Sequence, residues 1–294
     1  MTKYSNYAIL ASFFGLWVNS YLSINGQIWI GFILIFTFGI LHGANDLELI
    51  KNVNTKDKTL RFYKVLLYYV VIVLSGSILF YIVPWLALSL FILVSGYHFG
   101  EQQWNEKLKV ANSWINFFFQ MLYGLIILFL IFSFHVEEVQ TIILAITSLE
   151  VPKYSFLLFF KILIFLFILS IIFLYFINEE FKNFIFKELF YLIVFTILFK
   201  VSSLIWGFAL YFIFWHSIPS LMTQMKFLYG EVSFKNFKMY FRSAFVYWIV
   251  SLFGIALLYF IFKDQKIFNA LFFSFLASIT FPHVFVILKM FEKK

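Results

Sequence analysis

Runs of about twenty apolar residues, separated by short charged stretches, recur from one end of this chain to the other, and about 20 helical residues are what crosses a bilayer's hydrocarbon core. In hydrocarbon a backbone N–H or C=O finds no water, so each run must satisfy its own hydrogen bonds as a helix. Over 294 residues the chain is 63% hydrophobic and 12% charged. An ordinary soluble domain is about 25% charged. The apolar share is too large to bury in one water-soluble core, which excludes a soluble globular enzyme, a disordered chain and a secreted disulfide scaffold. The pattern predicts an all-α, polytopic transmembrane helical bundle forming one integral membrane domain over 1–294.

Hydropathy divides the chain into ten spans, at 7–24, 28–47, 62–83, 84–104, 112–134, 154–177, 184–200, 204–222, 240–262 and 268–290. The weakest divisions put the count between 8 and 10. The seventh and eighth are separated only by the polar interruption Lys200-Val201-Ser202-Ser203, and the third and fourth meet at Pro84. Proline suits the first turn of a helix, where its missing N–H costs nothing. The N-terminal apolar segment reads as a retained span rather than a cleaved signal.

Basic residues set the orientation. Of the 22 Lys and Arg, Lys161 lies inside a span and four (Lys153, Lys200, Lys263 and Lys266) fall on one side; the other 17 fall on the side of the N-terminus and the loops after even-numbered spans. Cytoplasmic loops carry the excess of Lys and Arg. A multi-pass protein of the cell (inner) membrane with both termini cytoplasmic is expected. The net charge of +8 belongs to these loops and implies no nucleic-acid partner. The absence of cysteine excludes disulfides, iron–sulfur clusters and thiolate zinc sites.

Five histidines are present, and four of them, His42, His98, His216 and His283, lie in even-numbered spans, each towards the C-terminal end. Even spans run in the same direction, so these side chains should share one depth in the cytoplasmic half. Ionisable groups inside a membrane are costly and mark functional positions. Four neutral imidazoles converging in a dry site make a metal centre, and imidazole suits zinc, copper, iron and nickel. Four ligands on an octahedral iron would leave two positions for dioxygen or substrate. The competing account is that each histidine donates to a carbonyl of a neighbouring helix.

Nearby residues fit a site. Asp46 follows His42 by four and Glu101 follows His98 by three, so each shares its histidine's face if the helix continues. A carboxylate on the second ring nitrogen would fix the imidazole tautomer. Gly43 and Gly100 permit close helix approach, and Pro219 and Pro282 bend the helices that carry His216 and His283. Tyr97, Phe99, Trp104, Trp215, Phe281 and Phe285 stand nearest the histidines in sequence and are candidate contacts for an apolar substrate. His135 precedes Glu137-Glu138 and reads as an exposed interfacial residue, and mid-span Lys161 as a snorkelling or helix-pairing lysine.

The segments HGANDL (His42 to Leu47), YHFGEQQW (Tyr97 to Trp104), WHSIPSL (Trp215 to Leu221) and FPHVFVI (Phe281 to Ile287) together resemble the bacteriorhodopsin-related-protein (Brp/Blh) family, the microbial membrane β-carotene 15,15'-dioxygenases. The resemblance covers most of the chain. It implies cleavage of β-carotene by dioxygen at the central double bond into two all-trans retinals. It also implies non-haem Fe(2+) with His42, His98, His216 and His283 as ligands. Where the family often has a further histidine, this chain has Leu47 in the first motif and Ser220 in the third. A forty-carbon polyene and an apolar aldehyde both partition into lipid, so substrate from the bilayer and retinal hand-off to a rhodopsin are the expected partnerships.

Other classes are weighed against this one. The di-iron membrane desaturases and hydroxylases need about eight histidines at close spacings, whereas no two here are closer than the 37 residues from His98 to His135. A membrane transporter or metal permease would also place polar groups on Pro- and Gly-broken spans, but paired repeats are absent from the sequence. A structural protein associated with a rhodopsin would tolerate loss of the histidines.

Overall fold

The computed structural model describes residues 2–53, 62–261 and 265–292. Lys56, Lys58, Arg61, Lys263, Lys293 and Lys294, which contribute to the expected charge bias, lie outside the described residues. Among those described, every regular element is helical: α1 (Thr2–Asn19), α2 (Ile24–Leu34), α3 (Asp46–Val53), α4 (Phe62–Ile82), α5 (Pro84–Trp104), α6 (Ser113–Phe134), α7 (Val136–Thr147), α8 (Lys153–Ile177), α9 (Glu179–Val201), α10 (Leu204–Tyr211), α11 (Ile218–Tyr229), α12 (Phe234–Ile261) and α13 (Gln265–Glu292). Two π-helical turns, Ile35–Gly39 and Phe212–Ser217, follow α2 and α10.

Local chemistry sets many of these boundaries. Pro84 opens α5 where the third and fourth spans were divided. Asn112 and Asn178 cap α6 and α9 by accepting from the N–H groups of Trp114 and Phe181. Ser203 accepts from Trp206 N–H, so the short polar interruption after Val201 does separate two helices. Gly230 ends α11 at φ +84°, a conformation that a side chain would strain.

Five helices among the described residues are long and apolar enough to cross a membrane: Ser113–Phe134, Lys153–Ile177, Leu204–Tyr229, Phe234–Leu257 and Ser274–Glu292. Ile24–Gly39 and Leu66–Ile82 are shorter apolar helices. The described residues thus support several crossings but not the full count of ten. The helices α1, α5 and α9 have the length, yet carry polar residues such as Ser5 and Asn6, His98 and Glu101, and Lys187 and Glu188.

One difference from the hydropathy reading bears on function. The second span does not run unbroken over 28–47: helical structure stops at Leu41, residues 42–45 form a turn, and α3 begins at Asp46. Gly43 and Asn45 favour turns, and Asp46 and Glu48 suit a helix N-terminus. A window of twenty residues averages over such a break. The amphipathic α7 was likewise absorbed into a connection because its 12 residues are too few to cross.

The chain divides into two compact units. The first comprises Met1–Phe32, Ile92–Leu144 and Leu149–His216. Its centre is α6, against which α8 and α9 pack. Phe156, Leu163, Phe167 and Leu174 form the inward stripe of α8, while Phe165, Phe173 and Phe176 on its other faces are exposed, as a lipid-facing helix requires. The second unit comprises Ile33–Phe91, Ala145–Ser148 and Ser217–Lys294. Here α13 lies along α4, with Ser77 bonded to Ser278 and Gly76 packed against Phe281. Leu49 joins α3 to Val286, Ile287 and Met290 of α13, and Leu41, Met225, Tyr240 and Ala244 form a further core cluster.

Candidate functional site

In the first unit, His98 is carried by α5 and His216 by the second π-helical turn. The height of His98 is fixed by glycines on either side of it. A Cβ on Gly100 would overlap the carbonyl of Gln120, and one on Gly124 the carbonyl of Gly96, so α5 and α6 touch backbone to backbone. The π-helical turn has a local cause in Pro219, which offers no N–H to the Trp215 carbonyl and crowds the preceding turn. Gln102 on α5 donates to the carbonyl of His216 at 2.8 Å.

The two rings then meet edge to face, with centroids 4.7 Å apart at 78°. Phe99 lies edge-on to His216 at 4.6 Å and Phe212 stacks on it at 5.4 Å. Glu101 Oε2 is 3.8 Å from His98 Nδ1, beyond hydrogen-bond distance. Both histidines are buried.

In the second unit, His42 sits in the turn that follows the first π-helical stretch, and His283 follows Pro282 inside α13. A buried turn must satisfy its own backbone. Gln224 donates to the His42 carbonyl at 2.8 Å and to Ser220 Oγ at 3.1 Å. The Tyr240 hydroxyl lies 3.0 Å from the same carbonyl and 2.7 Å from Gln224 Oε1. Asn45 donates to the Tyr240 carbonyl and accepts from Ser243. So held, the ring of His42 meets that of His283 edge to face, with centroids 4.9 Å apart at 86°.

The outer nitrogens define how these two imidazoles are protonated. His42 Nδ1 bonds the Gly39 carbonyl, which can only accept, so Nδ1 carries the proton. His283 Nδ1 lies 2.8 Å from Asp46 Oδ1 and donates to that carboxylate. In both rings the acceptor lone pair therefore belongs to Nε2. Asp46 was expected on the face of His42 if the second span continued; because the chain turns at 42–45, it reaches His283 instead. Buried imidazoles with one nitrogen held in this way, and no thiolate, suit iron, zinc, copper or nickel.

The aromatic residues near the histidines in sequence scatter. Phe99 touches His216, whereas Tyr97 packs on Phe117 at 4.7 Å. Trp104 is fully buried among Phe119, Tyr123 and Phe181. Trp215 donates to Ser12 Oγ at 2.9 Å and packs on Tyr191 and Phe195. Phe281 lies against Gly76, and Phe285 is exposed. Leu47 and Ser220 are both buried. His135 caps the end of α6, its Nε2 2.9 Å from the Phe199 carbonyl. Lys161 lies on the exposed side of α8.

Sequence reasoning passed over several residues that organise these pairs. Gln102, Tyr69, Gln224 and Tyr240 are uncharged polar positions, and only Tyr69 stands within an apolar run, so the sequence around the other three carried little signal. It also passed over Glu188, a buried carboxylate in α9 that accepts from Gln103 (2.6 Å), Lys107 (2.7 Å) and Tyr123 (2.9 Å).

No curated protein and no solved structure matches the chain. A family model described as beta-carotene 15,15'-dioxygenase matches residues 33–291, an interval that includes all four histidines of the two pairs. The chain belongs to the beta-carotene 15,15'-dioxygenase family.

Proposed function

We propose that this protein is a membrane-embedded dioxygenase that cleaves β-carotene at its 15,15' double bond, using a ferrous ion held by His42, His98, His216 and His283. The observation that carries the reading is the sorting of the five histidines. The four in the family-like segments form two buried, ring-to-ring pairs, while His135 serves as a helix cap. A ferrous ion on such ligands would supply the activation of dioxygen that the spin-paired alkene needs. The overall change is balanced by the substrates alone. The central C=C breaks, and each of its carbons leaves as an aldehyde bearing one atom of the dioxygen.

The chain's own residues have simpler duties. The carbonyl of Gly39 and the carboxylate of Asp46 hold the Nδ1 protons of His42 and His283, which directs Nε2 towards an ion. Gln102, Gln224 and Tyr240 hold the main chain at His216 and His42, so the rings need not reorganise during reaction. Phe99 and Phe212 shield the His216 ring and help to exclude water. Substrate would enter from the bilayer and retinal would return to it, available to a rhodopsin. In this proposal the chain works as one multi-pass domain of the inner membrane with cytoplasmic termini, as the basic-residue bias suggests.

The test is expression in a bacterial host that makes β-carotene. Orange cells should bleach and accumulate retinal. His42→Ala, His98→Ala, His216→Ala and His283→Ala should each abolish both effects, whereas His135→Ala should retain them. Retained colour with normally inserted wild-type protein overturns the proposal.

A further inference from the structure

We infer that Tyr69 is a positioning residue for the metal-binding histidine His283, acting through Asp46. The inference rests on the ferrous-site reading above and extends it to a residue outside the four family-like segments. Tyr69 on α4 donates its hydroxyl to Asp46 Oδ2 at 2.9 Å, and His283 Nδ1 donates to Asp46 Oδ1 at 2.8 Å. One carboxylate thus joins three elements: Asp46 opens α3, Tyr69 lies on α4 and His283 on α13. These three helices pack against one another.

The arrangement has a physical logic that hydrophobic packing does not supply. Asp46 is 2% exposed, and a buried carboxylate is tolerated only where its oxygens are bonded. The imidazole takes one oxygen and the phenol the other. Without the phenol, Oδ2 would be left without this donor, and the carboxylate would be less firmly held against rotation. Rotation would break its bond to His283 Nδ1 and release the ring from the orientation that this bond fixes. A Cβ on Gly43 would stand 3.5 Å from His283 Nδ1, so the glycine lets the turn pass close to the ring.

The experiment measures metal, not turnover. Wild-type protein and the variants Tyr69→Phe, Asp46→Asn and the double variant are purified in detergent. Each is titrated anaerobically with ferrous iron against a chromogenic chelator. Tyr69→Phe should weaken ferrous affinity about tenfold, within the range for lost outer-shell partners of metal ligands. The double variant should bind no more weakly than Asp46→Asn alone, because the phenol acts only through the carboxylate. A residue that merely packs would lower the melting temperature and leave affinity unchanged, and that result overturns the inference. Multiplied losses in the double variant also overturn it. Failure of the wild type to bind ferrous iron removes the ferrous-site reading itself, and this inference with it, so the two failures are distinguishable.

Discussion

The side-chain amide of Gln102 lies 2.8 Å from the carbonyl oxygen of His216, tying a π-helical turn to the helix that carries His98. Proline three residues after His216 offers no N–H to the Trp215 carbonyl, and a side chain from another helix steadies the chain at the next carbonyl. Gln102→Leu keeps the volume and removes the donor. Losing one such hydrogen bond costs about 0.5–1.5 kcal/mol. The variant should melt at lower temperature in detergent and make less retinal, whereas Gln102→Glu, which cannot donate when ionised, should do no better.

The crossing of α5 and α6 depends on Gly96, Gly100 and Gly124. Gly100→Ala would drive a methyl group into the backbone at Gln120, which cannot yield as a flexible side chain could. Overpacking of this kind costs about 1–3 kcal/mol, and displacing His98 should remove retinal formation as well. Gly254→Ala in α12 is the control. Nothing lies within 4 Å of the added methyl, so this variant should be neutral or up to about 1 kcal/mol more stable through helix propensity. Thermal unfolding of the two variants side by side checks the contrast.

Glu188 is buried, and its Oε1 accepts from Lys107 at 2.7 Å while Oε2 accepts from Gln103 and Tyr123. Lys107→Met strands the carboxylate, and losing one member of a buried ion pair costs about 3 kcal/mol or more. Adding Glu188→Gln to that variant removes the stranded charge and should recover most of the lost stability. A double variant as unstable as Lys107→Met alone would show that the pair contributes through packing rather than charge.

Chelation tests the proposed ion directly. Protein treated anaerobically with a strong chelator should lose retinal formation and regain it on addition of ferrous iron, with zinc failing to restore it. Binding confined to the folded state also raises stability by mass action, by about 2.7 kcal/mol when the free ion stands at 100 times its dissociation constant. The melting temperature of the stripped protein should therefore climb with added ferrous iron, and a flat response defeats the assignment.

Much of the architecture was readable because hydropathy and capping are local properties. Pro84 starts α5, Ser202-Ser203 separates α9 from α10, and the fifth and sixth spans coincide with α6 and α8 to within a residue. The four histidines stood out for the same reason, since an imidazole within an apolar run is visible without knowing its neighbours. The destination of Asp46 was not visible. Its distance in sequence from His42 suggested one partner, and a four-residue break sent it to another 237 positions away.

By itself, the sequence determined that the chain is built of apolar helices, several long enough to cross a membrane, and that four imidazoles lie in or beside its apolar runs. Each run's length, apolarity and terminal residues carry that information with no reference to the rest of the chain. Only the tertiary structure decided that His98 faces His216, that His42 faces His283, and that Tyr69, Gln102, Gln224 and Tyr240 brace those pairs. Helix formation follows from interactions within a few residues of chain. Ring-to-ring pairing depends instead on which helices cross, at what height and after which break, and those are settled by packing between segments far apart in sequence.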